Sequence, residues 1–162
     1  MSRVKLKRTP RIGTLDEGPP KCVTYITRDE LQFIMNHARS TYPEECCGFL
    51  LGRDSDPRII GRALSVQNTN RGSRKNRFNI DSMELVRADE EARRANVDLI
   101  GIYHSHPDAP PQPSQVDLEN AWPWYTYLVV SVQNGEPKGV AAWILSEDRS
   151  TFHLEDMRVM AD

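Results

Sequence analysis

The chain has 162 residues and a formal net charge of −2. This length supports one domain with a real core and is too short for two ordinary domains. The near-balanced charge gives no overall attraction to nucleic acid or an anionic membrane, and no apolar run approaches the roughly 20 residues of a membrane span. We therefore expect no nucleic-acid partner and no membrane partner.

The three cysteines, two of which are adjacent, form no Cys-x-x-Cys pair. They make a poor disulfide framework and argue against a structural zinc site built from thiolates. The basic N-terminal stretch lacks the apolar core of a signal peptide. These features predict reduced, packed thiols in a cytoplasmic protein.

Residues 1–21 are rich in proline, glycine and charge, which predicts a flexible N-terminal arm before a single domain over residues 22–162. The basic side chains in this arm are expected to be solvated rather than bound to a partner: Lys5, Lys7, Arg8 and Arg11. Whether Asp16 or Glu17 reaches the functional site from the arm stays open at this point.

The domain is predicted to begin with a short strand over Cys22–Ile26. A helix should follow as far as Thr41, because Thr27 and Glu30 have the spacing of a capping box. Apolar residues recur in this helix at the spacing of one core-facing stripe: Leu31, Ile34, Met35 and Ala38. His37 lies off that stripe, so we expect it on the surface and not as a ligand.

The middle of the chain predicts a central strand over Cys46–Gly52, with Glu45 at the junction between loop and strand. A turn over residues 54–57 and a strand over Arg58–Gln67 should follow. Residues 68–76 are polar and basic and predict a loop. The remaining predicted elements are a short strand at Phe78 and Ile80, a helix over Ser82–Ala95, a strand from Asp98, a helix from Ser114, a hairpin of Tyr125–Gln133 with Gly139–Leu145 around Asn134-Gly135, and a last strand over Ser150–Met157. Interleaved strands and helices without a repeat indicate the α/β class, with helices packed on a mixed sheet.

The residues with the most chemical character stand at the end of the strand that starts at Asp98. In a strand, side chains two apart share a face, so His104 and His106 should project together while Ser105 points the other way. Asp117 falls in the first turn of the following helix. Two imidazoles and one carboxylate are the three protein ligands typical of a catalytic zinc site.

Each half of this pattern also has an ordinary structural interpretation. Two histidines at a strand end are often only a polar edge, and Ser114 with Asp117 is what a helix N-terminus favours. However, the chain has only four histidines, and two of them stand here. The combination therefore favours a metal site.

The same residues carry a family resemblance. His-Ser-His from His104, seven residues, Ser114, two residues and Asp117 resemble the metal-binding motif of the JAMM (MPN+) metallopeptidases. That family also has an upstream glutamate before a Cys-Gly, and Glu45 has this register. The resemblance extends over about residues 23–152. It implies a curved mixed β-sheet flanked by helices, in the manner of a cytidine-deaminase-like sandwich, with the metal at one edge.

The resemblance also implies roles for individual residues. His104, His106 and Asp117 would hold one zinc ion, and Glu45 would act as general base and acid. Ser114 would donate a hydrogen bond to the developing oxyanion. Ser105 is expected to be structural, and Asp108 is interpreted as a turn residue. The substrate-binding residues are unknown at this point.

Members of this family typically cut after the C-terminal glycine of ubiquitin or a ubiquitin-like protein. Between Asp117 and Tyr125 there is no room for the insertions of some eukaryotic relatives, so the chain resembles the small prokaryotic members. The implied partner is a ubiquitin-like or sulfur-carrier protein, either deconjugated or processed at its C-terminus. Its tail would add as a strand beside the strand over Arg58–Gln67. The basic loop would either steer this partner or be simply solvated.

Other functions stay open from the sequence. One is a zinc hydrolase of short peptides or small amides, and another is a non-catalytic scaffold of the same fold, although such scaffolds usually lack the ligands. A zinc nucleobase deaminase is excluded, because the chain lacks the Pro-Cys-x-x-Cys that supplies the thiolate ligands of that site. The sequence leaves the identity of the carrier, the type of amide bond and the oligomeric state open.

Overall fold

The computed structural model describes residues 23–161 and contains eight strands and three helices in that range. In chain order the elements are β1 (Val23–Thr27), α1 (Arg28–Thr41), β2 (Cys47–Arg53), β3 (Arg58–Val66), α2 (Ser82–Arg94), β4 (Asp98–Pro107), α3 (Gln115–Asn120), β5 (Thr126–Gln133), β6 (Glu136–Leu145), β7 (Phe152–Leu154) and β8 (Asp156–Met160). The predicted arm over residues 1–21 lies outside the described residues. Within the described residues, no helix has the length and apolar character needed to cross a membrane.

All eight strands form one mixed sheet in the order β7-β6-β5-β4-β2-β3-β1-β8. The pairs β2–β3, β2–β4, β5–β6 and β6–β7 are antiparallel, whereas β4–β5, β1–β3 and β1–β8 are parallel. The predicted α/β class and mixed sheet are confirmed. β4 lies between β2 and β5, so its C-terminal end is held on both sides by paired backbone.

The sheet is strongly curved. The short strands β7 and β8 occupy opposite ends of the strand order, although only Glu155 separates them along the chain. The two ends of the sheet must therefore come together at Glu155. The sequence predicted a single last strand over residues 150–157, which is wrong, because the chain changes from one sheet edge to the other at this point.

Helices cover both faces of the sheet, as the alternation of side chains in the strands requires. Leu50 of β2 packs in the cluster that contains Ile34 and Ala38 of α1. Its neighbours Phe49 and Leu51 point to the other face and belong to the cluster of α2. The core is thus divided by the sheet into two layers.

Three local predictions in the first half of the domain are wrong. Thr27 is the N-cap of α1 but its side chain makes no capping hydrogen bond. The Glu30 carboxylate instead accepts the backbone N–H of Ala63 in β3, at 2.6 Å. His37 is half-buried, not on the surface, because its Nδ1 atom lies 2.8 Å from the Tyr103 hydroxyl. Phe78 and Ile80 form no strand, since residues 77–81 have no ladder partner in the described part of the chain.

Candidate metal centre

The two histidines of β4 meet on one face of the strand. The Nε2 atoms of His104 and His106 are 3.0 Å apart, and both side chains are buried. β4 is held in register by β2, where Cys47 pairs with His104, and by β5, where Ser131 pairs with His106. The spacing of two residues in a paired strand therefore produces the convergence that the sequence predicted.

Asp117 completes a triangle of donor atoms. Its Oδ2 atom lies 3.1 Å from the His104 Nε2 atom and 3.2 Å from the His106 Nε2 atom. A capping box at the start of α3 fixes this carboxylate: the Ser114 N–H donates to Asp117 Oδ2 at 2.8 Å, and the Asp117 N–H donates to Ser114 Oγ at 3.1 Å. Asp117 can thus take part in the capping box with Ser114 and still present its carboxylate to a metal ion.

Glu45 approaches the same point from the start of β2. Its Oε1 atom lies 3.7 Å from the His106 Nε2 atom, and the side chain is almost fully buried. Ligand atoms of Glu45, His104 and His106 all lie within 4.8 Å of one another. Asp117 contacts both imidazoles more closely than Glu45 does, so the Glu45 carboxylate occupies a position beside the triangle.

The hydrogen bonds of His106 are consistent with a cation at the centre of the triangle. Its Nδ1 atom lies 3.1 Å from the Pro110 carbonyl, which accepts only from a protonated nitrogen. In the neutral ring, the lone pair of Nε2 then faces the lone pairs of Asp117 Oδ2. Two facing acceptors repel each other unless a metal ion or a proton lies between them. Burial lowers the pKa of His106, but this effect is outweighed by the hydrogen bond and charge of Asp117, so the pKa of His106 lies above its usual value.

The dimensions of the triangle fit zinc. Ligands at about 2.0–2.1 Å in a tetrahedron are about 3.3 Å apart, close to the observed separations of 3.0, 3.1 and 3.2 Å. Two imidazoles and one carboxylate are also a donor set that zinc prefers. The residues present can therefore hold a metal ion.

Burial and neighbouring charge shift the pKa values of the site. Burial raises the pKa of Glu45 to about 8; the charge of His106 opposes this change, and the charge of Asp117 adds to it. Burial lowers the pKa of His104, which favours the neutral imidazole that a metal needs. For Asp117, the effect of burial is outweighed by hydrogen bonds with His104 and His106, so its pKa lies well below the usual range.

The proline-rich segment after β4 is fastened to the sheet. Ser131 of β5 donates to the Ala109 carbonyl at 2.6 Å, and Trp143 of β6 donates to the Pro111 carbonyl at 3.0 Å. Asp108 has a φ of 54° and accepts hydrogen bonds from the Tyr42 hydroxyl and the Asn134 N–H, which confirms the turn. This segment sets the distance between the histidines and Asp117.

Ser105 is structural, as predicted. Its side chain points away from the histidines, and its Oγ atom accepts the Cys46 N–H at 2.8 Å. The Ser105 N–H in turn donates to the Cys46 carbonyl at 3.2 Å. These bonds fix the backbone directly after Glu45.

The structure adds three contacts that the sequence did not indicate. The Phe78 ring stacks on His104, with centroids 4.7 Å apart and an interplanar angle of 28°. The Glu45 N–H donates to the Arg74 carbonyl at 2.6 Å, and Asn68 donates to the Glu45 carbonyl at 3.1 Å. Residues 68–79 therefore cover one ligand and hold the backbone of Glu45. No local sequence pattern links these residues to the site.

Known proteins are similar to this chain in sequence. The curated desampylase of Pyrococcus furiosus is 39% identical over 104 residues, which cover 64% of this chain and 68% of that protein. The desampylase of Haloferax volcanii is 39% identical over 111 residues, covering 65% and 78%. A probable TtuB-protein conjugate cleaving protease of Thermus thermophilus is 29% identical over 125 residues, covering 77% and 78%.

Solved structures agree with the fold. A protein from Desulfitobacterium hafniense superposes with a TM-score of 0.75 at 26% identity, covering 86% of this chain and 94% of that chain. A JAB1/MPN domain protein from Archaeoglobus fulgidus has a TM-score of 0.55 at 17% identity, covering 84% and 98%. The model of the Prok-JAB family, described as prokaryotic homologs of the JAB domain, matches residues 27–146. The chain therefore belongs to the family of prokaryotic homologues of the JAB domain.

Proposed function

We propose that this protein is a zinc-dependent peptidase that hydrolyses the amide bond after the C-terminal glycine of a ubiquitin-like or sulfur-carrier protein. One observation carries the proposal: His104, His106 and Asp117 present donor atoms 3.0–3.2 Å apart, with the buried carboxylate of Glu45 beside them. Ligands plus an adjacent acid are the parts of a hydrolytic metal site. The reduced, buried thiols of Cys46 and Cys47 support a cytoplasmic location.

We assign His104, His106 and Asp117 as the residues that hold one zinc ion. When bound, zinc supplies Lewis acidity, which lowers the pKa of an attacking water towards about 7 and polarises the scissile carbonyl. The Pro110 carbonyl and the Ser114 N–H orient His106 and Asp117 for this task.

Glu45 performs the proton transfers. Its carboxylate accepts a proton from the water as the water adds to the scissile carbonyl, and returns a proton to the leaving amine as the C–N bond breaks. A carboxyl group whose pKa is raised to about 8 can give and take a proton near neutral pH. Ser114 is exposed at the mouth of the site, and we assign its hydroxyl to the developing oxyanion.

The sheet offers a place for an extended tail. β3 is an internal strand, so a tail cannot add along all of it, as the sequence led us to expect. β1 pairs only with residues 58–60 of β3, whereas residues 62–66 pair only with β2 in the described part of the chain. The Glu30 carboxylate occupies the Ala63 N–H, which leaves residues 64–66 for a tail, and Val66 pairs with Cys47, two residues after Glu45. A tail added along residues 64–66 would therefore end close to the metal centre.

The relatives favour a protein conjugate over a small amide. A desampylase and a TtuB-conjugate protease are similar over about two thirds or more of this chain. The complete set of donor residues argues against a silent scaffold. Hydrolysis of short peptides or small amides alone is the competing function, and the experiment below separates the two.

The test uses TtuB and other ubiquitin-like proteins ending in glycine, each fused through that glycine to a reporter, together with short peptides of the same terminal sequence. We expect cleavage directly after the glycine, read by mass spectrometry, and kcat/KM at least 100-fold higher for a folded fusion than for its peptide. Equal rates for both would support the competing function.

A pair of adjacent glutamates supplies the matched control. Glu45→Gln should lower kcat at least 1,000-fold while zinc stays bound, because Glu45 lies outside the ligand triangle. Glu44→Gln changes a partly exposed carboxylate that pairs with Arg74, and it should keep most of the activity. Full activity of the Glu45→Gln variant would disprove the mechanism.

A further inference from the structure

Residues 68–79 form a cavity of their own beside the metal centre. Its volume is about 620 Å³. The lining residues are Thr69, Asn70, Arg71, Gly72, Ser73, Asn76, Arg77 and Asn79. Two of them are arginines and none carries a carboxylate, so the cavity is a concentrated positive surface on a chain whose net charge is −2.

The two arginines of the cavity are available for a ligand. Arg71 and Arg77 are exposed, and neither forms an ion pair with any residue in the described range. The neighbouring Arg74 is different, because its Nε atom donates to the Glu44 carboxylate at 2.7 Å. Within this segment, Arg71 and Arg77 are therefore the arginines that have no carboxylate partner among residues 23–161.

The shape of the cavity is fixed before any ligand binds. The side-chain carbonyl of Asn70 accepts the N–H groups of Gly72 and Ser73, each at 2.9 Å. The Arg77 N–H donates to the Ser73 carbonyl at 3.0 Å. A loop closed in this way loses less conformational entropy on binding than a free segment.

We propose that this cavity is a subsite for carboxylate side chains of the ubiquitin-like substrate. The inference rests on the proposed function and adds the chemical feature by which the substrate is recognised. Each planar guanidinium can bind a carboxylate through two parallel hydrogen bonds, which adds geometric specificity to charge attraction. An acidic patch on the substrate would also be drawn to the enzyme before contact.

The loop that forms the subsite is hydrogen-bonded directly to the backbone of Glu45. Asn68 donates to the carbonyls of both Arg77 and Glu45, at 2.9 and 3.1 Å. The Glu45 N–H donates to the carbonyl of Arg74, which lies between the two cavity arginines in the sequence. A carboxylate held by Arg71 and Arg77 would therefore bind to the same loop that holds the backbone of Glu45.

A phosphate of nucleic acid is the rival anion. Proteins that bind nucleic acid neutralise several phosphates along a track of basic residues. Here the basic residues at the cavity all lie in one short loop, between positions 71 and 77. Asp81 and Glu84 follow directly in the sequence, and Glu44 neutralises Arg74. This local pattern favours protein carboxylates.

Charge reversal tests the subsite. The double variant R71E/R77E should raise KM for a cleavable fusion of an acidic ubiquitin-like protein at least tenfold at low salt, and the difference should shrink in 0.5 M NaCl. R71K/R77K keeps the charge but not the paired hydrogen bonds, so it should recover only part of the loss. R94E removes an exposed arginine of α2 outside the cavity and should leave KM within twofold. An unchanged KM for R71E/R77E, or an equal rise for R94E, would overturn the proposal.

A direct binding measurement keeps this result separate from the proposed function. Isothermal titration of the zinc-loaded protein with hexaglutamate should show binding that R71E/R77E weakens at least tenfold. We expect this binding even if no fusion is cleaved. Absence of cleavage would count against the proposed function and not against the subsite. No binding by the wild-type protein, or equal binding by R71E/R77E, overturns the subsite. Tighter binding of a 12-nucleotide RNA than of hexaglutamate would overturn its assignment to carboxylates.

Discussion

The side-chain amide of Asn68 donates a hydrogen bond to the backbone carbonyl of Glu45, across 23 positions of sequence. The same amide donates to the Arg77 carbonyl, and its oxygen accepts the N–H groups of Asn70 and Asn79. One half-buried side chain thus connects two parts of the loop to each other and to Glu45, the residue proposed to transfer protons. Asn68 is therefore a positioning residue for Glu45.

We expect Asn68→Ala to lower kcat by about 10- to 100-fold, because a shift of about 1 Å in a proton-transferring group can cost about that much. Zinc content should not change, since Asn68 contacts none of the ligands. The lost hydrogen bonds should also reduce the free energy of unfolding by about 1–3 kcal/mol. The measurements are steady-state kinetics, metal analysis and urea unfolding.

Asn79→Ala is the control for this variant, because only the backbone of Asn79 contacts Asn68. It should retain kcat within about twofold. A rise in KM without any fall in kcat for Asn68→Ala would show that Asn68 serves substrate binding and does not position Glu45.

Substitution of each carboxylate in turn should distinguish the roles of Asp117 and Glu45 in zinc binding. Asp117→Asn should lose zinc on dialysis, because Asp117 Oδ2 contacts both imidazoles, whereas Glu45→Gln should keep it. Added zinc should raise the melting temperature of the wild type and of Glu45→Gln but not that of Asp117→Asn, since only a bound ion stabilises the folded state. Atomic emission spectroscopy measures the zinc content, and thermal unfolding measures the melting temperature.

Glu119→Gln is a matched change on the same helix, where Glu119 is exposed and accepts from Gln115. It should bind one zinc ion per chain. If Glu45→Gln lost zinc and Asp117→Asn retained it, the roles of the two carboxylates would have to be exchanged.

Ser114 has a capping role that can be separated from the catalytic role assigned to it. Ser114→Ala removes both the cap and the hydroxyl, at a cost of about 1 kcal/mol in stability. Ser114→Gly keeps most of the capping preference and still lacks the hydroxyl, so both variants should lose about 100- to 1,000-fold in kcat. Ser114→Thr retains cap and hydroxyl and should remain within about tenfold of wild type. Near-normal kcat for Ser114→Gly would show that Ser114 is only a cap.

The sequence was sufficient to predict that His104, His106 and Asp117 converge, because the geometry of this triangle is mostly local. A spacing of two in a strand brings His104 and His106 together, and a spacing of three at a helix start joins Ser114 to Asp117. The position of Glu45 came from the family resemblance. The parallel and antiparallel order of the strands could not be read from the chain, since it depends on pairings between distant segments.

The residues that support the site were missed for the same reason. Phe78 stacks on a histidine 26 positions away, and its alternating neighbours suggested a strand instead. Glu30 has capping-box spacing, but the N–H of Ala63 from a neighbouring strand competes successfully for its carboxylate. Local patterns cannot show such competition, because the partner is brought in only by the tertiary fold.

Arg58 provides a final prediction, on stability. This buried arginine donates to the Ile100 carbonyl, the Thr126 hydroxyl, the Asp54 carboxylate and the Trp124 carbonyl, at 2.8–3.0 Å. It is therefore the centre of a polar network inside the sheet, at the end of β4 opposite the histidines.

The network also reaches the point where the two ends of the sheet meet. Thr126 donates to the buried Glu155 carboxylate at 2.9 Å, and Thr24 of β1 donates to the same carboxylate. Glu155 separates β7 from β8 and donates its own N–H to the Ala142 carbonyl of β6. Arg58 is thus connected through Thr126 to the hydrogen bonds of Glu155 that join the two ends of the curved sheet.

Arg58→Ala leaves the buried Thr126 hydroxyl and two carbonyl groups without their donor, and it removes the partner of the exposed Asp54. A buried acceptor left without its donor costs about 1–3 kcal/mol, so urea unfolding should show a loss of about 3–5 kcal/mol in total. Arg62 is an exposed arginine of the same strand as Arg58, and it pairs with Glu91 of α2. Arg62→Ala should therefore cost at most about 1 kcal/mol. Because Arg58 lies far from the ligands, the folded fraction of Arg58→Ala should still bind one zinc ion per chain. Equal stability losses for the two variants would mean that the network does not hold the ends of the sheet together.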